Sequence, residues 1–187
     1  MTETEIRQYA QSRGFHWQTL ERWLGWSLAA RNALFRLAVD LKVGENQLRD
    51  FMDWLEEIAL REQLMIEDIL GSKPVVNCAS DPRLGRADKL KRIKEELRRR
   101  RFPRLTEAEN AIWTRIHELQ LPSDIRLKVP PGLEGGKLAV ELTASSHDEF
   151  KKLVIKLADT VADHRVREIF ALLAGHGVEA QSQATHL

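Results

Sequence analysis

Apolar residues recur three and four positions apart through the first seventy residues, and the period shortens to two only in a later stretch. Ile6, Tyr9 and Ala10 fall on one face of a first helix, which Arg13-Gly14-Phe15 interrupts. Trp17, Leu20, Trp23 and Leu24 mark a second helix over Trp17–Trp26. Ser27 is placed to cap a third, whose broad stripe holds Leu28, Leu34, Phe35, Ala38, Val39 and Leu41 and which Gly44 ends. From Glu45 to Arg61 the stripe is Leu48, Phe51, Met52, Leu55, Ile58 and Ala59, backed by Asp50, Asp53, Glu56, Glu57 and Glu62. Leu64–Leu70 adds a short helical piece. Short connections between such helices predict a compact antiparallel bundle.

From Gly71 to Pro82 turn formers break the pattern. A helix resumes near Ala87 with a narrow edge of Leu90, Ile93 and Leu97, and Pro103 stops it because proline lacks an amide donor. Thr106 and Glu109 have capping-box spacing ahead of Ile112, Ile116 and Leu119. Then Ile125, Leu127 and Val129 alternate with Arg126 and Lys128, as in a half-buried strand. A Pro- and Gly-rich loop leads to a second alternating stretch, Lys137–Thr143, with Leu138, Val140 and Leu142 inward. Ser145 or Ser146 can cap a helix that buries Phe150, Leu153, Val154, Leu157 and Val161. A last helix, Asp163–Ala174, buries Val166, Ile169, Phe170, Leu172 and Leu173, and the tail beyond Gly175 reads as disordered.

The pattern therefore predicts a mostly helical α+β fold: a helical bundle over 1–72, a linker and basic helix over 73–104, a small α+β module over 105–174, and a tail over 175–187. Two strands alone are marginal in water and leave both edges open. The module can be completed by packing its sheet on helices, or by pairing its edge strand with a second copy through Leu138, Val140 and Leu142. The second solution, a homodimer, is the reading favoured here.

Composition narrows the class. Hydrophobic residues make up 43% and charged residues 30% of 187 positions, as in a soluble globular protein. No apolar run reaches the roughly 20 residues that cross a bilayer, and the start of the chain lacks the layout of a signal peptide, so a cytoplasmic location is expected and no membrane partner. Cys78 is the single cysteine, which excludes an internal disulfide and a cysteine-based zinc site.

Charge changes the picture more. The formal net charge is +1, yet Arg83–Arg104 holds eleven Lys/Arg against Asp88, Glu95 and Glu96, a local net of +8. Lys89, Lys91, Arg92, Lys94, Arg98, Arg99, Arg100, Arg101 and Arg104 are its candidate phosphate contacts. Such a stripe attracts nucleic-acid backbone by counterion release, without reading base sequence. Arg98–Arg101 spans more than one helical turn, so these groups fan around the axis. That distribution suits backbone contact better than base readout. The acidic face around Asp50–Glu62 is a competing partner for the stripe, inside the molecule or across a dimer.

Catalytic chemistry is sparse. The six histidines show no paired metal-ligand spacing, and no Walker loop, dinucleotide fingerprint or nucleophile elbow occurs, so neither cofactor nor metal is expected. Asp124 and Glu141 suggest a nuclease carboxylate pair, but the lysine expected two residues after Glu141 is missing. Trp17, Trp23 and Trp26 cluster within ten residues and offer a partner-binding platform, although packing of a small core explains them as cheaply. The helix–turn–helix outline around Arg13–His16 would present Gln18, Thr19, Glu21 and Arg22, a poor surface for DNA.

The segment RRRRFPRLTEAE, followed by ELQLPSDIRLKVPP, LEGG and LAVELTASSHDEFKKLVIKL, resembles the region after the nuclease-like domain of bacterial ParB-related chromosome-partitioning proteins. Trp54–Leu64 is similar to the helical part of those chains. The N-terminal nucleotide-binding and nuclease-like domain of that family has no counterpart here, so its CTP- or nuclease-dependent activity does not carry over. The resemblance implies a dimerising, DNA-associated accessory module. The expected function is accordingly a non-enzymatic homodimer that binds DNA through Lys89–Arg104; the alternative is a protein-interaction adaptor using the tryptophan-rich surface.

Overall fold

The computed structural model describes residues 3–175 and divides into two compact units that meet at Phe102 and Pro103. The chain is mostly helical with one small antiparallel sheet, as the pattern predicts. The expected disordered tail lies outside the described residues, apart from Gly175.

Among its described residues the first unit holds seven helices: α1 (Glu3–Ser12), α2 (Trp17–Leu24), α3 (Leu28–Leu41), α4 (Glu45–Glu62), α5 (Ile66–Leu70), α6 (Lys73–Ser80) and α7 (Arg86–Arg101). Local chemistry sets several ends. Ser27 Oγ accepts the Ala30 N–H at 3.1 Å to start α3, and Lys42 adopts a left-handed conformation to end it. The Gln47 side chain reaches back to the Gly44 N–H at 3.3 Å at the start of α4. Gly44 thus opens α4, while α3 stops three residues earlier, at Leu41. Ile6, Trp23, Leu34, Leu48, Phe51, Met52, Leu55 and Ile58 are fully buried, so the helical stripes of α1 to α4 meet in one core. Leu28 and Val39 of the α3 stripe are exposed instead.

Two expectations change here. The stretch from Gly71 to Pro82 is helical over α6, where Pro74 occupies the first turn without breaking it and Val75 is buried. The segment 73–104 is also no linker. Ile93 and Leu97 of α7 are fully buried in the same core, with Leu90 packed against it.

The second unit opens with α8 (Pro103–Glu118), continues through β1 (Ile125–Lys128), a 3-10 segment at Pro131–Gly136 and β2 (Ala139–Leu142), and closes with α9 (His147–Val161) and α10 (His164–Leu173). Pro103 both stops α7 and begins α8, because proline fits the first turn where no amide donor is needed. Thr106 lies inside that helix, so it is no N-cap. The register pairs Ile125 with Leu142 and Leu127 with Val140, which gathers Ile125, Leu127, Leu138, Val140 and Leu142 on one face. Ser146 Oγ caps α9 by accepting the Glu149 N–H at 3.2 Å, while Glu149 accepts from the Ser145 amide at 2.6 Å. Asp163 caps α10. The core of this unit is small: Ile112, Leu119, Leu127, Ile169, Leu172 and Leu173.

Candidate functional site

The basic stripe is placed by α7, whose apolar edge sits on α4. Helix rotation follows from that contact: with Ile93 and Leu97 inward, Lys94, Arg100 and Arg101 flank the seam and meet the acidic side of α4. Lys94 Nζ lies 2.8 Å from Asp50, Arg100 Nη2 2.5 Å from Glu62, and Arg101 2.5 and 2.7 Å from the two Glu57 oxygens. Arg101 also stacks over Phe102 at 4.8 Å and, with Lys94, over Trp54. Arg61 closes the far end by donating to the carbonyls of Arg100 and Arg101, which lack partners at a helix C-terminus. Burial alone pushes the Glu62 carboxyl pKa up, but bonds from Arg100 and Arg61 outweigh it and hold the pKa below the usual carboxylate range.

The outer side of α7 is mixed as well. Arg99 lies 3.5 Å and Arg98 3.9 Å from Glu95, and Asp88 shares that side by helical spacing. Counted from the sequence, α7 carries +6 and α4 carries −4, so their packing leaves a pair with a net charge of only +2. Lys91 and Arg92 stand exposed and Lys89 half-buried, with no carboxylate in ion-pair contact among the described residues. Arg104 is exposed in the other unit. The nine candidate cations therefore do not form one free stripe: three of them hold α7 to α4.

The tryptophan platform is corrected too. Trp23 is fully buried, its indole N–H donating to the Arg31 carbonyl at 3.3 Å and its ring meeting Phe35 and Tyr9. Trp26 is half-buried and donates to Glu56 at 2.8 Å. Trp17 alone of the three is open, at 65% exposure. The cause is geometric: positions 17, 23 and 26 do not share a helix face, and core formation claims Trp23.

The clearest departure from expectation lies in the second unit. Phe150, Val154 and Val161, assigned by their period to a buried face, are 48%, 42% and 60% exposed. Among the described residues none of α9 joins the cluster around Ile112 and Ile169. Leu153 is buried and Leu157 half-buried, so the helix is covered along one flank of its stripe and open along the other. Phe170 of α10, also expected inside, is 49% exposed, and Val140 of β2 45%. Leu138 packs against the core, Leu142 is half-buried, and β2 has no strand on its outer edge among the described residues. The period assigned these residues to an interior, and that expectation is overturned: a hydrophobic period marks one face of an element, and the described elements of the unit do not cover this one.

Among the described residues no group of three or more His, Cys, Asp or Glu is arranged to hold a metal ion, and no helix is long and apolar enough to cross a membrane. Comparison with protein-family models, with curated proteins and with solved structures finds no match. The likeness to ParB-related proteins thus rests on the soft motifs of the sequence alone.

Proposed function

We propose that the chain is a non-enzymatic association module whose second unit docks a protein partner on the uncovered faces of β2 and α9. The observation that carries this reading is the apolar stripe of α9, correctly periodic for burial yet open over Phe150, Val154 and Val161. An apolar surface of this kind, flanked by Lys151, Lys152 and Asp159, is a recurrent mark of a docking face. The test is the double variant Val154→Glu/Val161→Glu, with Val154→Ala/Val161→Ala as the milder form. Helical circular dichroism and a cooperative melt should survive in at least the milder form. Loss of fold in both places these residues in the unit's own interior and overturns the reading.

A second reading, non-specific contact with DNA backbone, is favoured by one feature. Lys91 borders a shallow recess of about 400 Å³ between α4 and α7, lined also by Gln47 and Trp54 of α4 and by Leu90, Lys94, Glu95 and Arg98 of α7. Polarisation titrations of a labelled duplex at rising salt test it. If it holds, Lys91→Ala and Arg92→Ala each lower the salt slope by about one unit.

A further inference from the structure

Resting on the association reading, we infer that the partner is a second copy of this chain, with β2 pairing antiparallel to its symmetry mate about a two-fold axis at Ala139. The hydrogen-bond parity of the sheet fixes much of this. The Thr143 N–H donates to the Asp124 carbonyl at 2.9 Å, and the register then makes Arg126 with Glu141 and Lys128 with Ala139 the hydrogen-bonded pairs. The backbone groups of Leu138, Val140 and Leu142 consequently point to the open edge. A symmetric antiparallel mate must pair even positions with even positions, so the axis falls on a residue rather than between two. Even-to-even pairing also keeps Leu138, Val140 and Leu142 on the same face in both copies, continuous with Ile125 and Leu127.

Charge selects among the central registers. An axis at Glu141 sets two carboxylates directly opposite each other. Glu141 is already ion-paired with Lys128 of β1 at 2.8 Å, so the charge that a mate strand must satisfy is Lys137. An axis at Val140 puts Lys137 across from Thr143 and leaves it without a carboxylate opposite. An axis at Ala139 sets Lys137 of each copy opposite Glu141 of the other and Leu138 opposite Val140. The smallest side chain of β2 then meets itself on the axis, at a non-hydrogen-bonded pair where Cα atoms approach to about 4.5 Å. Two four-residue strands bury little area alone. A stable interface of roughly 1,200 Å² total therefore needs further apolar surface of the unit beside the strands.

The experiment is oxidative cross-linking of the full chain in a Cys78→Ser background, read beside its sedimentation mass. Ala139→Cys should form a disulfide-linked dimer readily, since a separation of about 4.5 Å lies within disulfide range. Glu141→Cys should not, because the register separates the two copies of position 141 by four residues of strand. Lys137→Glu should weaken the dimer several-fold, whereas Lys137→Arg, which keeps the charge opposite Glu141, should leave it nearly unchanged. Preferential linking through Glu141→Cys overturns the register. A dimeric mass with no link at Ala139→Cys overturns the strand pairing. A monomeric mass at all concentrations overturns self-association, while the association reading with another protein survives if the α9 variants fold as stated.

Discussion

The two units solve the same problem differently. The first satisfies most of its hydrophobic pattern internally: seventeen described residues form its buried core, including stripes from α3, α4 and α7, while Leu28 and Val39 of α3 stay open. It treats charge in the same way, setting the acidic side of α4 against the cations of α7. The second unit gathers six described residues in one core cluster, with Ile125 and Leu153 buried apart from it, and leaves periodic apolar positions of α9, α10 and β2 open. A hydrophobic period records that a face is meant to be covered, but not by what. In the first unit the cover is another helix of the same chain; in the second no described element of the unit supplies it.

That contrast is sharpest in core substitutions. Phe51→Ala removes a fully buried ring and should cost about 3–5 kcal/mol in denaturant unfolding. Phe150→Ala, of identical chemistry, should move the stability of the isolated monomer by less than about 0.5 kcal/mol and act on association instead. Equal losses in the monomer would erase the distinction between the units. Next in size is Gly136→Ala. Gly136 has φ +60°, and an added Cβ would stand 3.3 Å from the Leu173 carbonyl, so about 1–2 kcal/mol of strain is expected in the second unit. Ser146→Ala removes the α9 cap and should cost about 1 kcal/mol, read as a lower melting temperature.

The smallest effect tests the charge seam. The Glu62 carboxyl is held below its unfolded pKa by Arg100 and Arg61, so its contribution is present above the ordinary carboxylate range and lost as pH falls through the folded value. Glu62→Gln should destabilise the first unit by at most about 1 kcal/mol near neutral pH, since such partly exposed pairs are weak. The difference from the unsubstituted chain should shrink as pH drops below about 4. A difference that grows on acidification would contradict the pairing.

Much of this was legible along the chain. The strands were legible because Ile125, Leu127, Leu138, Val140 and Leu142 alternate cleanly, and α4 because its stripe runs unbroken from Leu48 to Ile58. The helix α6 was hidden by Gly71, Ser72 and Pro74, which read as turn formers but sit at and just inside its N-terminus. The fate of the basic stripe depended on helix rotation. Eleven cations in 22 positions look like a polyanion site until Ile93 and Leu97 turn Lys94, Arg100 and Arg101 toward Asp50, Glu62 and Glu57. The acidic face was visible as a competitor; three-dimensional packing decided that the competition is won within the molecule.

Amide hydrogen exchange at Val140 tests the central claim most directly. Its N–H points to the open edge of β2, so a lone chain should exchange it rapidly, whereas pairing with a second copy protects it. The account predicts slow exchange at high protein concentration that accelerates on dilution. Fast, concentration-independent exchange at Val140, with the amide of Thr143 still protected by its bond to Asp124, would contradict it.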